Sequence, residues 1–115
     1  MKNDFTPVTK VFLALPGGHG EPFLGPGMIS LLDNIVETGN VRAACQQMGM
    51  SYSKGWKLLA RLDECLGYQV VTKKQGGNGG GEAYLNEKGR AFLENHKNFL
   101  QACADSVEKL FKEYY

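Results

Sequence analysis

The side chains best suited to a chemical role are the basic ones in the middle of the chain. Residues 41–90 hold eight Lys and Arg against four Asp and Glu, a local balance of +4, although the formal charge of all 115 residues is only +1. Clustered cationic groups bind phosphates by releasing counterions, and this depends on local contacts rather than on the total charge. The eight basic residues are Arg42, Lys54, Lys57, Arg61, Lys73, Lys74, Lys88 and Arg90.

No arrangement typical of a catalytic or metal site accompanies these residues. His19 and His96 are far apart, and neither has a cysteine or carboxylate at metal-ligand spacing. The glycine-rich stretch 76–81 lacks the Lys-Ser/Thr ending of a P-loop. The three cysteines are odd in number and widely spaced, which fits reduced core thiols better than a disulfide framework. We expect no metal, no cofactor and no enzymatic activity.

Length and composition favour one soluble domain over residues 1–115. Hydrophobic residues at 43% and charged residues at 22% are close to the averages for globular proteins. The first ten residues lack an apolar signal segment, and no run of eighteen apolar residues occurs. We therefore expect a cytoplasmic protein with no membrane association.

The first part of the chain predicts a strand, a loop and a helix. Residues 8–15 are rich in β-branched and aliphatic side chains, which favours a strand. Glycine and proline are concentrated in residues 16–27, which predicts a loop. Apolar residues at helical spacing then predict a helix over residues 28–37, which Gly39 ends.

Residues 41–66 have the pattern of a helix-turn-helix. Asn40 can cap a short helix that ends before Gly49, and Ser51 can cap a longer helix that ends before Gly67. A glycine in the turn, small residues where the helices meet and inward-facing apolar residues are what this motif requires. Two helices with a glycine between them also occur in ordinary helical bundles, so the motif needs further context.

That context is a predicted hairpin, or wing, directly after the third helix. Residues 69–73 and 83–85 predict two strands on either side of a glycine-rich tip. Asn86 can then cap a last helix that continues to about Tyr114. The fold class predicted is mainly α with a small β wing, a winged helix-turn-helix with a long C-terminal helix.

A winged helix favours DNA as the polyanion. The first turn of its recognition helix faces base edges, and basic residues on the helix and the wing contact phosphates. Tyr52 is expected to point outward, whereas capping alone would explain Ser51, and packing among leucines would explain Trp56. The candidate DNA-binding residues are Ser51, Tyr52, Ser53, Lys54, Lys57, Arg61, Lys73, Lys74 and Asn78.

The last helix carries apolar residues at alternating steps of three and four, which is a heptad seam. So small a domain has little core on which to bury them all. We expect a homodimer through this helix, over about residues 87–114. The helices that contact DNA, here called the reading head, and the wing are expected over about residues 23–90. The predicted dimer interface is Leu93, His96, Leu100, Cys103, Val107, Leu110 and Tyr114.

Several segments of the chain carry a family resemblance. They are residues 27–32, 37–41, 43–44 and 49–52 with Trp56, and the glycine-rich residues 76–81 with Ala83 and Leu85. These segments resemble the N-terminal domain of ModE-type molybdate-responsive transcription regulators, which is itself similar to the DNA-binding part of LysR-type regulators. The resemblance covers roughly residue 23 to the end and implies a winged helix-turn-helix that dimerises through helices outside its reading head.

The chain also departs from that family pattern. Asn78 stands where a basic residue is common, Glu82 where a glycine is expected, and Asn86 where a threonine is expected. These differences are expected to weaken the contact of the wing with phosphate. Molybdate sensing is not expected, since the sequence ends at Tyr115 without the oxyanion-binding domain of the sensing members.

Two functions fit these observations. One is a sequence-specific transcription regulator that binds DNA as a homodimer, with a separate effector-sensing partner left open. The other is a winged-helix module for protein interaction or assembly, which the low net charge and the altered wing favour. Salt dependence distinguishes them, because a protein that binds DNA loses affinity steeply as salt rises.

Overall fold

The computed structural model describes residues 5–17, 20–74 and 82–115. Within these ranges the two strands pair antiparallel, with Val71 opposite Leu85. Three helices, a two-stranded wing and a long terminal helix follow one another as predicted, so the winged helix-turn-helix prediction is confirmed. The elements are α1 (Pro26–Thr38), α2 (Val41–Gln47), α3 (Tyr52–Leu66), β1 (Val71–Lys73), β2 (Ala83–Leu85) and α4 (Glu87–Tyr114).

The ends of the helices are set by capping residues that the sequence identified. The side-chain oxygens of Asn40, Ser51 and Asn86 each accept a hydrogen bond from the backbone amide three residues later, at 3.0, 3.1 and 2.9 Å. Gly39 and Gly67 end α1 and α3 with φ of 70° and 83°, a left-handed conformation that favours glycine. These short-range contacts satisfy helix-end groups that would otherwise lack partners.

The core lies where α1, α2 and α3 meet the base of the wing. Burying one leucine or isoleucine side chain contributes about 1.5–3 kcal/mol, so this cluster holds α3 against the rest of the domain. Side chains with almost no solvent exposure are Leu24, Leu31, Leu32, Ile35, Val41, Leu59, Leu62, Val70 and Leu85.

Residues 8–15 do not form the predicted strand. One isolated antiparallel bridge joins Leu13 to Leu24, with the Leu13 amide donating to the Leu24 carbonyl at 2.9 Å. The segment instead runs beside α4, where Val8 and Val11 line a cavity together with Leu100. Just before the segment, the ring of Phe5 meets that of Phe111 edge to face at 5.6 Å between centroids. The strand prediction was wrong because strand propensity depends on a pairing partner, and this segment packs on a helix.

α4 leaves the core as it proceeds. Within the single chain, the first members of the predicted seam are covered and the last are open to solvent. Along the seam, Leu93 and His96 are buried, Leu100, Cys103 and Val107 are half-buried, and Leu110 and Tyr114 are 54% and 80% exposed.

Among the described residues, no helix is long and apolar enough to cross a membrane.

Candidate nucleic-acid interface

The angle between α2 and α3 is fixed by a close approach at Gly55. A Cβ atom added to this buried glycine would overlap the sulfur of Cys45 on α2. The turn between the helices places Gly49 at φ of 66° and lets the Met50 amide donate to the Cys45 carbonyl at 3.0 Å. With one face of α3 held against α2 in this way, its opposite face lies in solvent.

That outer face of α3 carries four of the nine candidate DNA-binding residues. Ser53, Lys54, Lys57 and Arg61 are all exposed, and their spacing places them on the solvent side of one helix. The Arg61 guanidinium also donates to the carbonyl of Glu21 at 3.2 Å. The structure therefore brings these four residues together, and it places the loop before α1 at the edge of the same surface.

Tyr52 does not point outward as expected. Its half-buried ring packs against the core and meets Trp56 edge to face at 6.0 Å between centroids. The guanidinium carbon of Arg42 lies 4.0 Å from the centroid of the Tyr52 ring. Two partners in its own chain, one aromatic and one cationic, hold the ring in this position. The packing expected for Trp56 is confirmed, since it lies partly buried against the core.

The wing brings a second cation to this aromatic pair. The ammonium nitrogen of Lys73, on β1, lies 5.2 Å from the centroid of the Trp56 ring. Lys74 is exposed, and its amide donates to the Glu82 carbonyl at 2.6 Å where the hairpin opens. Asn78 and the glycine-rich tip around it lie outside the described residues.

Asn86 fixes the base of the wing. Its side-chain amide donates to the Gln69 carbonyl at 3.0 Å and to Thr72 Oγ1 at 3.1 Å, while its oxygen caps α4. A Cβ atom added at Gly89, in the first turn of α4, would overlap the carbonyl oxygen of Val70. Asn86 stands where the family pattern has threonine, and in this chain it links the two strands to the last helix.

Two titratable groups below this surface have altered pKa values. Burial raises the pKa of Asp63, opposed by the hydrogen bond it accepts from the Val70 amide at 2.9 Å. Burial likewise raises the pKa of the Cys45 thiol, although the nearby Arg42 charge acts in the opposite direction. A buried thiol with a raised pKa is a poor nucleophile. In the described part of the chain, no three His, Cys, Asp or Glu side chains come together in a way that could hold a metal ion.

Arg42 is one of the basic residues of the middle segment but is not among the DNA-binding residues that the sequence predicts. Arg42 is exposed in the first turn of α2, next to Tyr52 in the first turn of α3. Its position at the start of the helix that precedes the recognition helix was the available signal. The spacing between the two helices could not reveal that their first turns meet.

The segment from α1 to the start of α4 matches a known protein family. The family is that of the bacterial regulatory helix-turn-helix proteins of the lysR family, and its sequence pattern matches residues 27–90, from α1 through the wing to the start of α4. This match covers more than half of the chain. The chain belongs to this family, and the region from α1 to the wing is its DNA-binding regulator domain.

Relatives of known name support the same assignment and confirm the resemblance to ModE-type regulators. The molybdenum-pterin-binding protein MopA of Rhodobacter capsulatus is 31% identical over 74 residues, which cover 64% of this chain and 28% of MopA. The DNA-binding transcriptional dual regulator ModE of Escherichia coli (strain K12) is 29% identical over 72 residues, which cover 63% of this chain and 28% of ModE. The chain thus matches little more than a quarter of the length of these relatives.

Two solved structures share the fold. The CbnR DBD–DNA complex superposes with a TM-score of 0.57 at 20% identity, over 77% of this chain and 97% of that one. CbnR, a LysR family transcriptional regulator, superposes with a TM-score of 0.54 at 22% identity, over 72% of this chain and 27% of CbnR. At this level of identity the likeness confirms the winged-helix fold.

Proposed function

We propose that this chain is a sequence-specific transcription regulator that binds double-stranded DNA as a homodimer in the cytoplasm and catalyses no reaction. The observation that carries the proposal is the outer face of α3, where Ser53, Lys54, Lys57 and Arg61 are exposed together on a helix-turn-helix. Membership of a family of bacterial regulators supports DNA as the partner.

In the proposed complex the start of α3 enters the major groove. In the first turn Ser51, Ser53 and Lys54 face base edges, and the free amides of the helix start attract a phosphate. Lys57 and Arg61, one and two turns further along, contact bases or the sugar-phosphate backbone. Arg61 then exchanges its contact with the Glu21 carbonyl for one with DNA.

The wing supplies phosphate contacts beside the groove. Lys73 ends β1 with its ammonium group over the Trp56 ring of α3, and Lys74 directly follows it. Asn78, at the tip, is proposed as a further contact on the basis of the sequence alone. Contacts of this kind fix the register of the protein on the duplex and add affinity without reading the base sequence.

We propose that α4, over about residues 87–114, pairs two copies, and that residues 23–90 of each form the reading head and wing. The predicted seam lies on α4, where Leu110 and Tyr114 remain more than half exposed in the single chain. A twofold axis through α4 places two α3 helices on one side of the duplex, so the target is a palindrome with half-sites a whole number of helical turns apart.

Salt-dependent binding tests this function. Affinity for a mixed-sequence duplex is measured between low and moderate salt, and bound fragments are then selected from genomic DNA. The Lys57→Gln and Arg61→Gln double variant should lower the slope of log affinity against log salt by about two, at about one per phosphate contact. Lys109→Gln, on α4, is the matched control and should leave the slope unchanged. Binding without salt dependence, or no binding by the wild-type chain, would favour the protein-interaction function instead.

A further inference from the structure

Four side chains from three elements form one continuous array across the start of α3. Arg42 from α2 lies over the ring of Tyr52, Tyr52 meets Trp56 edge to face, and Lys73 from β1 lies over the ring of Trp56. The order is cation, ring, ring, cation. The array connects the helix before the recognition helix to the wing after it.

Both cations are exposed, and the array leaves their charge unneutralised. In the described residues the ion pairs join Lys97 to Asp33 and Lys112 to Glu108, and neither includes Arg42 or Lys73. A cation above an aromatic face is attracted by the ring but keeps N–H donors at its edge for another acceptor. Arg42 and Lys73 are therefore held in place and still able to bind an anion.

The two cations lie along one face of α3. Tyr52 and Trp56 are four residues apart and share that face, where Arg42 of α2 lies over the first ring and Lys73 of the wing lies over the second. A recognition helix in the major groove has a sugar-phosphate backbone on each side, and neighbouring elements contact it. Long cationic side chains that are already restrained lose less conformational entropy when they bind.

We propose that Arg42 and Lys73 contact DNA phosphates beside the start of α3, and that Tyr52 and Trp56 are positioning residues that hold these two cations ready. The proposal rests on the proposed function and adds to it. It assigns a DNA contact to Arg42 and gives Tyr52 a role through its ring rather than as a reader of bases.

The first test measures the salt dependence of binding to a mixed-sequence duplex of about 30 base pairs, roughly three helical turns. Arg42→Gln and Lys73→Gln should each lower the slope of log affinity against log salt by about one, whereas Lys109→Gln should not. Unchanged slopes in both array variants, with the wild type still binding in a salt-dependent way, would overturn this inference and leave the proposed function standing. A wild type that does not bind would overturn both.

The second test separates positioning from a structural role. Trp56→Leu should lower affinity about two- to fivefold, the factor that corresponds to one exposed cation–π contact. The same change in a Lys73→Gln background should have no further effect, and Trp56→Phe, which keeps a ring, should restore most of the affinity. An equal loss in both backgrounds would mean that Trp56 serves only the fold.

The third test needs no change to the ring. Trp56 is the only tryptophan of the chain, so the fluorescence of the free protein reports on its surroundings. Lys73→Gln should alter the intensity or maximum of that emission, and Lys109→Gln should not.

Tyr52→Phe, which keeps the ring, should leave both the salt slope and the selected DNA sequence unchanged. The array would be contradicted by a tryptophan emission that does not change in Lys73→Gln, or by a changed DNA sequence preference in Tyr52→Phe.

Discussion

Gly55 of α3 and Cys45 of α2 share one small space where the two helices cross. A Cβ atom on Gly55 would overlap the Cys45 sulfur, while the next nearest atoms, Met50 Sδ and Cys45 Cβ, would lie at 3.8 and 3.9 Å, in ordinary contact. Of the three nearest atoms, the sulfur is therefore the one that leaves no room for the Cβ atom of an alanine at position 55. This relationship sets how closely the recognition helix approaches the helix before it.

The first prediction is a reversal of sign in a double-mutant cycle. Gly55→Ala in the wild type should destabilise the fold by about 1–3 kcal/mol, the usual cost of overpacking. In a Cys45→Ala background the same change meets no obstacle and should stabilise by up to about 1 kcal/mol, because alanine is the better helix former. Urea unfolding of the four proteins measures this, and additive effects would show that the helices separate freely.

The second prediction concerns Asp63, which accepts a hydrogen bond from the buried amide of Val70. Asp63→Ala removes that acceptor and should cost about 1–3 kcal/mol, the penalty for a buried donor without a partner. Asp63→Asn keeps an acceptor oxygen and should be at least as stable as the wild type at neutral pH. The reason is that burial raises the pKa of Asp63, so its charged form is disfavoured in the fold.

The pH dependence of Asp63 follows from the same shift. Between the ordinary pKa of 3.8 and the raised value in the fold, the folded chain binds more protons than the unfolded chain. The contribution of this group to stability therefore falls as pH rises through that window. Asp63→Asn should remove this component, and denaturant titrations at several acidic pH values would detect it. Identical pH profiles in the two proteins would contradict the prediction.

The third prediction is a loss of stability in mild acid through His96. The imidazole is buried beside the rings of Phe92 and Phe99, 6.0 and 5.9 Å away between centroids, and burial lowers its pKa below 6.5. Lys10 and Cys103 line the same cavity as His96.

The sign of the His96 effect is fixed by proton binding. Above pH 6.5 the ring is neutral in both states, and stability is fully present. As pH falls from there to the lowered pKa, only the unfolded chain takes up the proton, so the free energy of unfolding drops by at most about 1.4 kcal/mol per pH unit. His96→Phe should flatten this region of the profile. Unfolding curves at pH 7.5 and 5.5 would test it, and an unchanged slope in the variant would assign the effect to another group.

The fourth prediction concerns the proposed dimer. Leu100→Asp with Leu110→Asp should abolish it, because each buried leucine contributes about 1.5–3 kcal/mol and a charge cannot be buried in its place. Much of the specific DNA affinity should be lost as well, since two linked reading heads bind more tightly than one. Ala102→Asp, which is exposed on another face of α4, is the control.

Sedimentation at tens of micromolar decides the oligomeric state. A wild-type chain that stays monomeric would show that the seam packs within its own chain. The end of α4 beside the seam already has a neighbour in the same chain, because the Phe5 ring lies 5.6 Å from that of Phe111 and 5.6 Å from that of Tyr115. A dimer that survives the double substitution would place the interface elsewhere.

The sequence by itself determined where most helices begin and end. Asn40, Ser51 and Asn86 cap their helices with bonds that span three residues, and Gly39 and Gly67 end theirs by a local conformation. Such signals are contained within one helical turn, so they can be recognised without knowing the rest of the fold. The exposed basic face of α3 follows in the same way from helical periodicity.

Tertiary structure decided the features that depend on partners distant in sequence. Residues 8–15 have the composition of a strand, but they run beside α4 with only the Leu13–Leu24 bridge. Tyr52 occupies an outward position by periodicity, yet Arg42 of the preceding helix and Trp56 hold its ring against the domain. In both cases the outcome depends on which side chains of other elements are within reach, and only the packed chain determines that.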